Sequence, residues 1–597
     1  APRRSAHRVL RTTALIPLLG LVAGLAACGA PRPVEQPLES ARVAAAPPVP
    51  STWRHTGDPG TARAPRAMVV TDAPLATAVG VDVLRAGGNA VDAAVATAFA
   101  LAVVYPEAGN IGGGGFMVAY FADGRTAALD FRERAPLAAT RDMYLDERGE
   151  PTDRSITGHL AAGVPGAVAG LWAAHQRFGT KPWRELLEPA IRLARDGFAV
   201  DSHFAAAIRN DSARLARFPA SAALFLPGGR PPRPGDTWRN PDLAAVLERI
   251  AERGPAGFYE GETADLIVAE MQRGGGIITH EDLRSYEPRW REPIEFRYRG
   301  RRIISMPPPS SGGITLALIA NILENDDLGR LGWSTAPTLH LVAEAMRRAF
   351  ADRNHFLGDP DFVEIPRARL LSREHAAAWR ATISRERATP SSEIVAGAVP
   401  VEEGAHTTHF SIVDPEGNAV ALTTTINELF GSAVTVTGAG FLLNDEMDDF
   451  ASKPGAPNMY GLVQGEANAI EPGKRMLSAM TPTIVLDEQD RPWLVTGARG
   501  GPRIITAVFQ VLSNVVDHGL DLTAAVTAPR IHHQHLPDVL FYEEGGLAPE
   551  TVRALEALGH TVQPRSGYIG NAPSILRQGD VWVGVPDPRV GGSAAGF

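Results

Sequence analysis

Hydroxyls, thiols and imidazoles are the side chains from which most chemistry starts, and this chain places them in a few distinct stretches. Its one cysteine, Cys28, cannot close an internal disulfide or build a cysteine metal site, and leaves at most one thiol nucleophile. His532, His533 and His535 crowd together in Arg530-Ile531-His532-His533-Gln534-His535, but no nearby Cys or fitting carboxylate pattern completes a metal site, so a packed strand or turn is the better reading. His280-Glu281 has no second His four residues on, and no Gly-x-Ser-x-Gly elbow occurs. The run Gly109-Asn110-Ile111-Gly112-Gly113-Gly114-Gly115 invites a phosphate-loop reading. No Gly-Lys-Ser/Thr follows it, however, and the next element, Phe116–Phe121, has a strand pattern, so close backbone packing accounts for the glycines better.

What remains is a hydroxyl-rich segment: His406-Thr407-Thr408-His409-Phe410-Ser411-Ile412-Val413, then Asp414-Pro415-Glu416-Gly417, then Asn418–Thr425. Alternation on both sides of the turn predicts a β-hairpin. If Val413 pairs with Asn418, Thr407 lies opposite Thr424; a slip of one residue sets Thr407 directly opposite Thr425. Either register brings Thr425 near Thr407. Threonines are also simply good strand formers, so the hairpin alone does not make them catalytic.

The elements that must hold this hairpin follow from periodicity. Leu75–Arg85 and Ala90–Val104 read as helices separated by Gly87-Gly88, with Asn89 as N-cap of the second, which is apolar nearly all round and so buried. Helical patterns dominate between about 155 and 390, at Pro189–Asp196, Ala244–Arg253, Thr263–Gln272 and Leu339–Phe350; after about 405 short β-rich runs take over. The composition, 44% hydrophobic and 21% charged, excludes wholesale disorder and a polytopic membrane protein. A net charge of −9 without long basic runs argues against nucleic acid as the partner.

The N-terminus has the form of a targeting segment. Arg3, Arg4, Arg8 and Arg11 precede an apolar run from Thr12 to Ala27, shorter than the ~20 residues a spanning helix needs. It ends Leu25-Ala26-Ala27-Cys28, which resembles the lipobox of bacterial lipoprotein signals and implies lipidation at Cys28. Residues 1–27 then form a signal peptide and 28–66, rich in Pro and Ala, an extended tether. The expected location is exported, periplasmic or at the cell surface, with membrane contact only through the lipid.

From about Ala67 to Phe597 the chain resembles the γ-glutamyltransferases of the N-terminal-nucleophile hydrolase superfamily. The resemblance is carried by Gly87–Ala94, Gly112–Phe116, Asp130-Phe131-Arg132-Glu133-Arg134-Ala135-Pro136, Pro307–Gly313, Leu357–Asp361, Thr407-Thr408-His409, Asn444–Phe450, Gly500-Gly501 and Asp587-Pro588-Arg589, all in the family's order. It implies a four-layer αββα sandwich of α/β (α+β) class, a large subunit (67–406), a small catalytic one (407–597), and self-cleavage between His406 and Thr407. No metal or organic cofactor is implied. Thr407 would gain a free α-amine able to activate its own hydroxyl near neutral pH. Thr425 would orient it, and the N–H groups of Gly500 and Gly501 would form the oxyanion hole.

The resemblance likewise implies that Arg132 and Ser478 bind the α-carboxylate of a γ-glutamyl group, and that Asn427, Glu446 and Asp449 receive its α-ammonium. Residues Lys453–Gly465, with Tyr460, resemble a loop that covers the site. Water or an amino acid would accept the acyl group. A glutaryl or cephalosporin acylase, a γ-polyglutamate hydrolase and a catalytically silent amino-acid-binding lipoprotein are the alternatives. One position departs from the family: where two adjacent serines are usual, this chain has Ser478-Ala479. A lost hydrogen bond to a charged group costs about 1.5–3 kcal/mol, or about 10- to 150-fold in affinity. Ala479→Ser is therefore expected to raise kcat/KM toward γ-glutamyl-p-nitroanilide in steady-state assays, and an unchanged value would contradict that reading.

Overall fold

The computed structural model describes residues 49–394, 407–459 and 461–597. The expected signal peptide, Cys28, His406 and Tyr460 lie outside the described residues. Its framework is two sheets of seven strands each. In chain order these are β1 (Ala62–Ala64), β2 (Met68–Thr71), β3 (Gly114–Tyr120), β4 (Thr126–Phe131), β5 (Arg289–Arg291), β6 (Ile294–Tyr298), β7 (Arg301–Ser305), β8 (Thr408–Val413), β9 (Ala419–Thr425), β10 (Thr483–Leu486), β11 (Pro492–Thr496), β12 (Ser574–Gln578), β13 (Val581–Val585) and β14 (Ser593–Gly596). One sheet runs β14-β2-β8-β9-β3-β4-β5 and the other β1-β13-β12-β11-β10-β7-β6. Strands from before and after residue 406 therefore lie side by side in each sheet, and the two halves of the chain share ladder hydrogen bonds.

Helices cover the outer faces. α1 (Pro74–Arg85), α2 (Ala90–Val104), α3 (Ala167–Phe178), α4 (Trp183–Asp196), α5 (Pro241–Arg253) and α6 (Gly261–Gly274) lie over the first sheet; α7 (Gly312–Leu323), α8 (Ala336–Phe356) and α9 (Arg503–Val516) lie over the second. The period-two alternation of the strands sorts the core. Val69, Phe410, Ile412, Val420 and Leu422 pack outward against the first helix layer. Val70, Val413, Ala419 and Ala421 pack inward against Ile484, Val495 and Ile575 of the facing sheet. The result is a four-layer αββα sandwich whose central sheets are buried on both faces.

Local signals explain the start of this architecture. Asn89 caps α2, its side chain accepting from the N–H groups of Val91 and Asp92 while Asp92 accepts from Asn89 N–H. Two expectations are corrected. The tether does not run to residue 66: Trp53 is buried, with its indole N–H donating to Thr527 O, and β1 pairs with β13. Apolar burial and ladder bonds thus draw residues 49–66 into the fold. The chain after 405 is not only short β runs, since α9 is a long helix whose β-branched residues sit on a helical stripe.

The glycine run is a matter of contact rather than phosphate. A Cβ on Gly112 would stand 2.0 Å from Leu442 O, one on Gly113 2.2 Å from Thr425 O, and one on Gly115 2.4 Å from Thr423 O. Gly113→Ala is expected to lower the thermal unfolding midpoint through an overpacking cost of about 1–3 kcal/mol. Gly57→Ala, whose Cβ meets nothing within 4 Å, is expected to leave it unchanged in the same melt.

Candidate active site

The hairpin takes the slipped register. Val413 pairs with Ala419 and Thr408 with Thr424, so Thr407 lies opposite Thr425 at the open end of β8 and β9. Asp414 sets the turn, its carboxylate accepting from the N–H groups of Glu416 and Asn418. Thr407, His409 and Ser411 share the face between the sheets: Ser411 Oγ reaches Val495 O and Pro573 O. Thr407 Oγ1 lies 3.4 Å from Thr425 Oγ1, which accepts the Asn427 N–H at 2.8 Å. Asn110 bonds Thr425 O through its amide N–H and accepts from Gly113 N–H, so the glycine run locks the end of β9 in place. His409 is no alternative base, because burial pulls its pKa down to about 3 and its nitrogens are engaged by Thr423 and Ser411.

Thr407 and Thr425 open onto a cavity of about 20 Å³ lined by Arg132, Arg353, Asn427, Glu446, Asp449, Ser478, Ala479 and Gly501, among others. Arg132 is fully buried and pairs with both Glu446 and Asp449, with Glu133 at 3.5 Å. Burial works against these carboxylates: it raises Glu133 to about 8, Glu446 well above its usual range and Asp449 upward, and Arg132 opposes each rise. The cavity therefore holds opposite charges that satisfy one another at short range in a medium of low dielectric.

Three of the wall residues, Glu446, Ser478 and Asp449, are held by neighbouring motifs. Asn444 accepts from Glu446 N–H and bonds Gly112 O and Gly163 O. The Pro307–Gly313 segment cradles Ser478: Ser478 N–H donates to Pro309 O, while Ser311 donates to Ser478 O through both its N–H and its hydroxyl. Gln464 and Asn468 donate to Asp449 O, and Met459 N–H donates to Asp448. The loop expected to cover the site thus touches it at Asp448 and Asp449, and Asn427 reaches Met459 Sδ at 3.5 Å.

Gly501 lines the cavity two residues before α9, with φ +56°; Gly500, at φ +135°, adjoins it and packs close to Gly570. Among the described residues, neither N–H donates to a protein acceptor. Of the residues expected to do chemistry or bind substrate, the structure brings Thr407, Thr425, Arg132, Asn427, Glu446, Asp449, Ser478 and Gly501 together around this one cavity. Gly500 adjoins Gly501 but is not among the residues that line the cavity, and Arg353, which does line it, was missed because its helix was expected to end at Phe350. The imidazole cluster is bonded internally: His532 to Thr506 and Gln534, His533 to Arg347, His535 to Ser391 O. Among the described residues no group of His, Cys, Asp and Glu is arranged to hold a metal. A larger groove of about 520 Å³ between α1 and α4 offers no hydroxyl, thiol or imidazole.

The sequence profile of the family described as Gamma-glutamyltranspeptidase matches residues 76–597. A glutathione hydrolase proenzyme of Pseudomonas sp. (strain A14) is 50% identical over 507 residues, covering 85% of this chain and 88% of that protein. One from Escherichia coli (strain K12) is 48% identical over 531 residues, covering 88% and 91%. The crystal structure of cephalosporin acylase from Bacillus halodurans superposes with a TM-score of 0.79 at 30% identity, covering 92% of this chain and 99% of that one.

Thr425→Ala removes both the neighbour of Thr407 Oγ1 and the acceptor of Asn427 N–H. Misplacing a reacting group costs on the order of 10²-fold in kcat, so that loss is expected in steady-state kinetics with γ-glutamyl-p-nitroanilide, with KM within a few-fold. Thr425→Ser, which keeps the hydroxyl, is expected to retain most of the activity.

Proposed function

The chain belongs to the γ-glutamyltranspeptidase family and is an enzyme of γ-glutamyl amide cleavage; we propose that Thr407, freed at its α-amine by a cut after His406, is its nucleophile. The α-amine, with a reference pKa of about 7.7–8.0, takes the Oγ1 proton as the oxygen attacks the γ-carbonyl carbon. The amide C–N bond breaks, an ester to Thr407 forms, and the leaving amine departs with that proton. Water or an amino-acid amine then attacks the ester, returning a proton to Oγ1 and releasing glutamate or a new γ-glutamyl amide. Gly501, with Gly500, donates N–H groups to the carbonyl oxygen as it gains charge.

The observation that carries this reading is that both threonines share one cavity with Arg132, Glu446 and Asp449. A γ-glutamyl group brings a carboxylate and an ammonium, the two charges that Arg132 and its acidic partners supply to each other in the free enzyme. Arg132 with Ser478 then takes the α-carboxylate, while Glu446, Asp449 and Asn427 take the α-ammonium. A glutaryl group has no ammonium and would leave those buried carboxylates uncompensated, which favours γ-glutamyl amides of the glutathione kind over an acylase substrate.

In this reading the cut makes two subunits, a large one expected at 67–406, to which the structure adds residues 49–66, and a small one at 407–597. The cut would not separate them, because β2 and β3, from before it, pair with β8 and β9, from after it. Among the described residues no helix is long and apolar enough to cross a membrane. The lipobox-like sequence at Cys28 supports an exported enzyme anchored by lipid.

A denaturing gel tests the scheme. The wild type is expected to run as two fragments that cleave γ-glutamyl-p-nitroanilide, and Thr407→Ala as a single inert band. A wild type that stays intact and inert would contradict it.

A further inference from the structure

The cavity contains a second guanidinium for which the scheme above has no use. Arg353 lies in the last part of α8, is 1% exposed, and shares the cavity wall with Thr407 and Arg132. Its Nε donates to Ser311 Oγ at 3.0 Å, and its Nη1 to Asn354 Oδ1 at 2.9 Å and Gln464 Oε1 at 3.5 Å. All three acceptors are neutral. Among the described residues its Nη2 has no acceptor, and no carboxylate lies within ion-pair distance of the group.

That sets Arg353 apart from three other fully buried arginines: Arg348 pairs with Glu344, Arg530 with Asp587, and Arg132 with Glu446 and Asp449. Taking a cation out of water without a counterion is costly, and hydrogen bonds to neutral acceptors offset that cost only in part. Burial accordingly pulls Arg353 down to about 10, with Asp449 the carboxylate that opposes the fall. Asp449 is itself held by Arg132.

We propose that Arg353 is a substrate-positioning residue whose free guanidinium edge binds the α-carboxylate of the γ-glutamyl group alongside Arg132, supplying a donor on the wall where Ala479 has none. When the substrate's ammonium takes over Glu446 and Asp449, two cations are left facing one carboxylate, which accepts from both forks. Ser311 keeps Arg353 in register, since it bonds both the guanidinium and Ser478 O. This assignment rests on the γ-glutamyl reading of the site.

The test compares γ-glutamyl-p-nitroanilide with 4-aminobutyryl-p-nitroanilide, which lacks only the α-carboxylate. Losing a charged hydrogen bond to that group should raise KM for the first substrate in Arg353→Gln by about 10- to 150-fold, with kcat changed far less. The kcat/KM for the second should stay near the wild-type value. Arg353→Lys, which keeps the charge but not the fork, should show the same selectivity with a smaller rise. The two-fragment pattern on a denaturing gel shows that a variant has folded and cleaved; if Arg353→Gln does not cleave, Arg353→Lys is read in its place. Equal losses on both substrates, no loss, or failure of both variants to cleave would make Arg353 a structural residue and overturn the proposal. An inert wild type would instead remove the γ-glutamyl reading itself.

Discussion

The site depends on the register of one antiparallel pair. Because β8 and β9 are joined through the Asp414 turn with Val413 opposite Ala419, Thr407 falls opposite Thr425 on the face between the sheets. A shift of one residue would turn Thr407 toward the outer helix layer, since side chains alternate strictly along a strand. The surroundings leave little room for such a shift. Phe410 and Ile412 are buried outward, Ser411 bonds the facing sheet inward, and the glycine run presses its backbone against Thr423 and Thr425. The apolar core thus sets the position of a hydroxyl to which it contributes no atom.

The charges in the cavity form a second layer of constraint built on the first. Arg132 is far in sequence from Glu446 and Asp449, which share one short turn, and Asn444 ties that turn to the glycine run. Buried ions of this kind are costly unless paired, and the free enzyme pairs them with one another. A ligand with one charge would open those pairs and leave one side unsatisfied. A zwitterionic head exchanges both, so selectivity for an amino-acid end follows from electrostatics as much as from shape.

Much of this was visible in the amino-acid sequence because it rests on local signals. The Asn89 cap, the helix break at Gly87-Gly88 and the hairpin are encoded within a few residues of where they act. The register was not decidable locally, since both pairings of the Asp414 turn satisfy the alternation; core packing decides between them. α9 was hidden because Ile504, Ile505, Val508 and Val511 favour strands, and only their placement against the second sheet makes them a helical stripe. Arg353 was hidden for a related reason. Arg347, Arg348, Asp352 and Arg353 break the apolar period of α8 and look like a solvated end, yet the fold buries all four. Residues 49–66 looked like a linker because β1 is only three residues long and Trp53 stands among polar neighbours.

The central claim is that the acyl group passes through Thr407. It is tested most directly by quenching the enzyme in acid during turnover of a γ-glutamyl amide and determining the mass of its fragments. The account predicts a fragment that begins at Thr407 and carries one γ-glutamyl group as an ester on that residue. Turnover with no adduct, or with the adduct on any other residue, would contradict it.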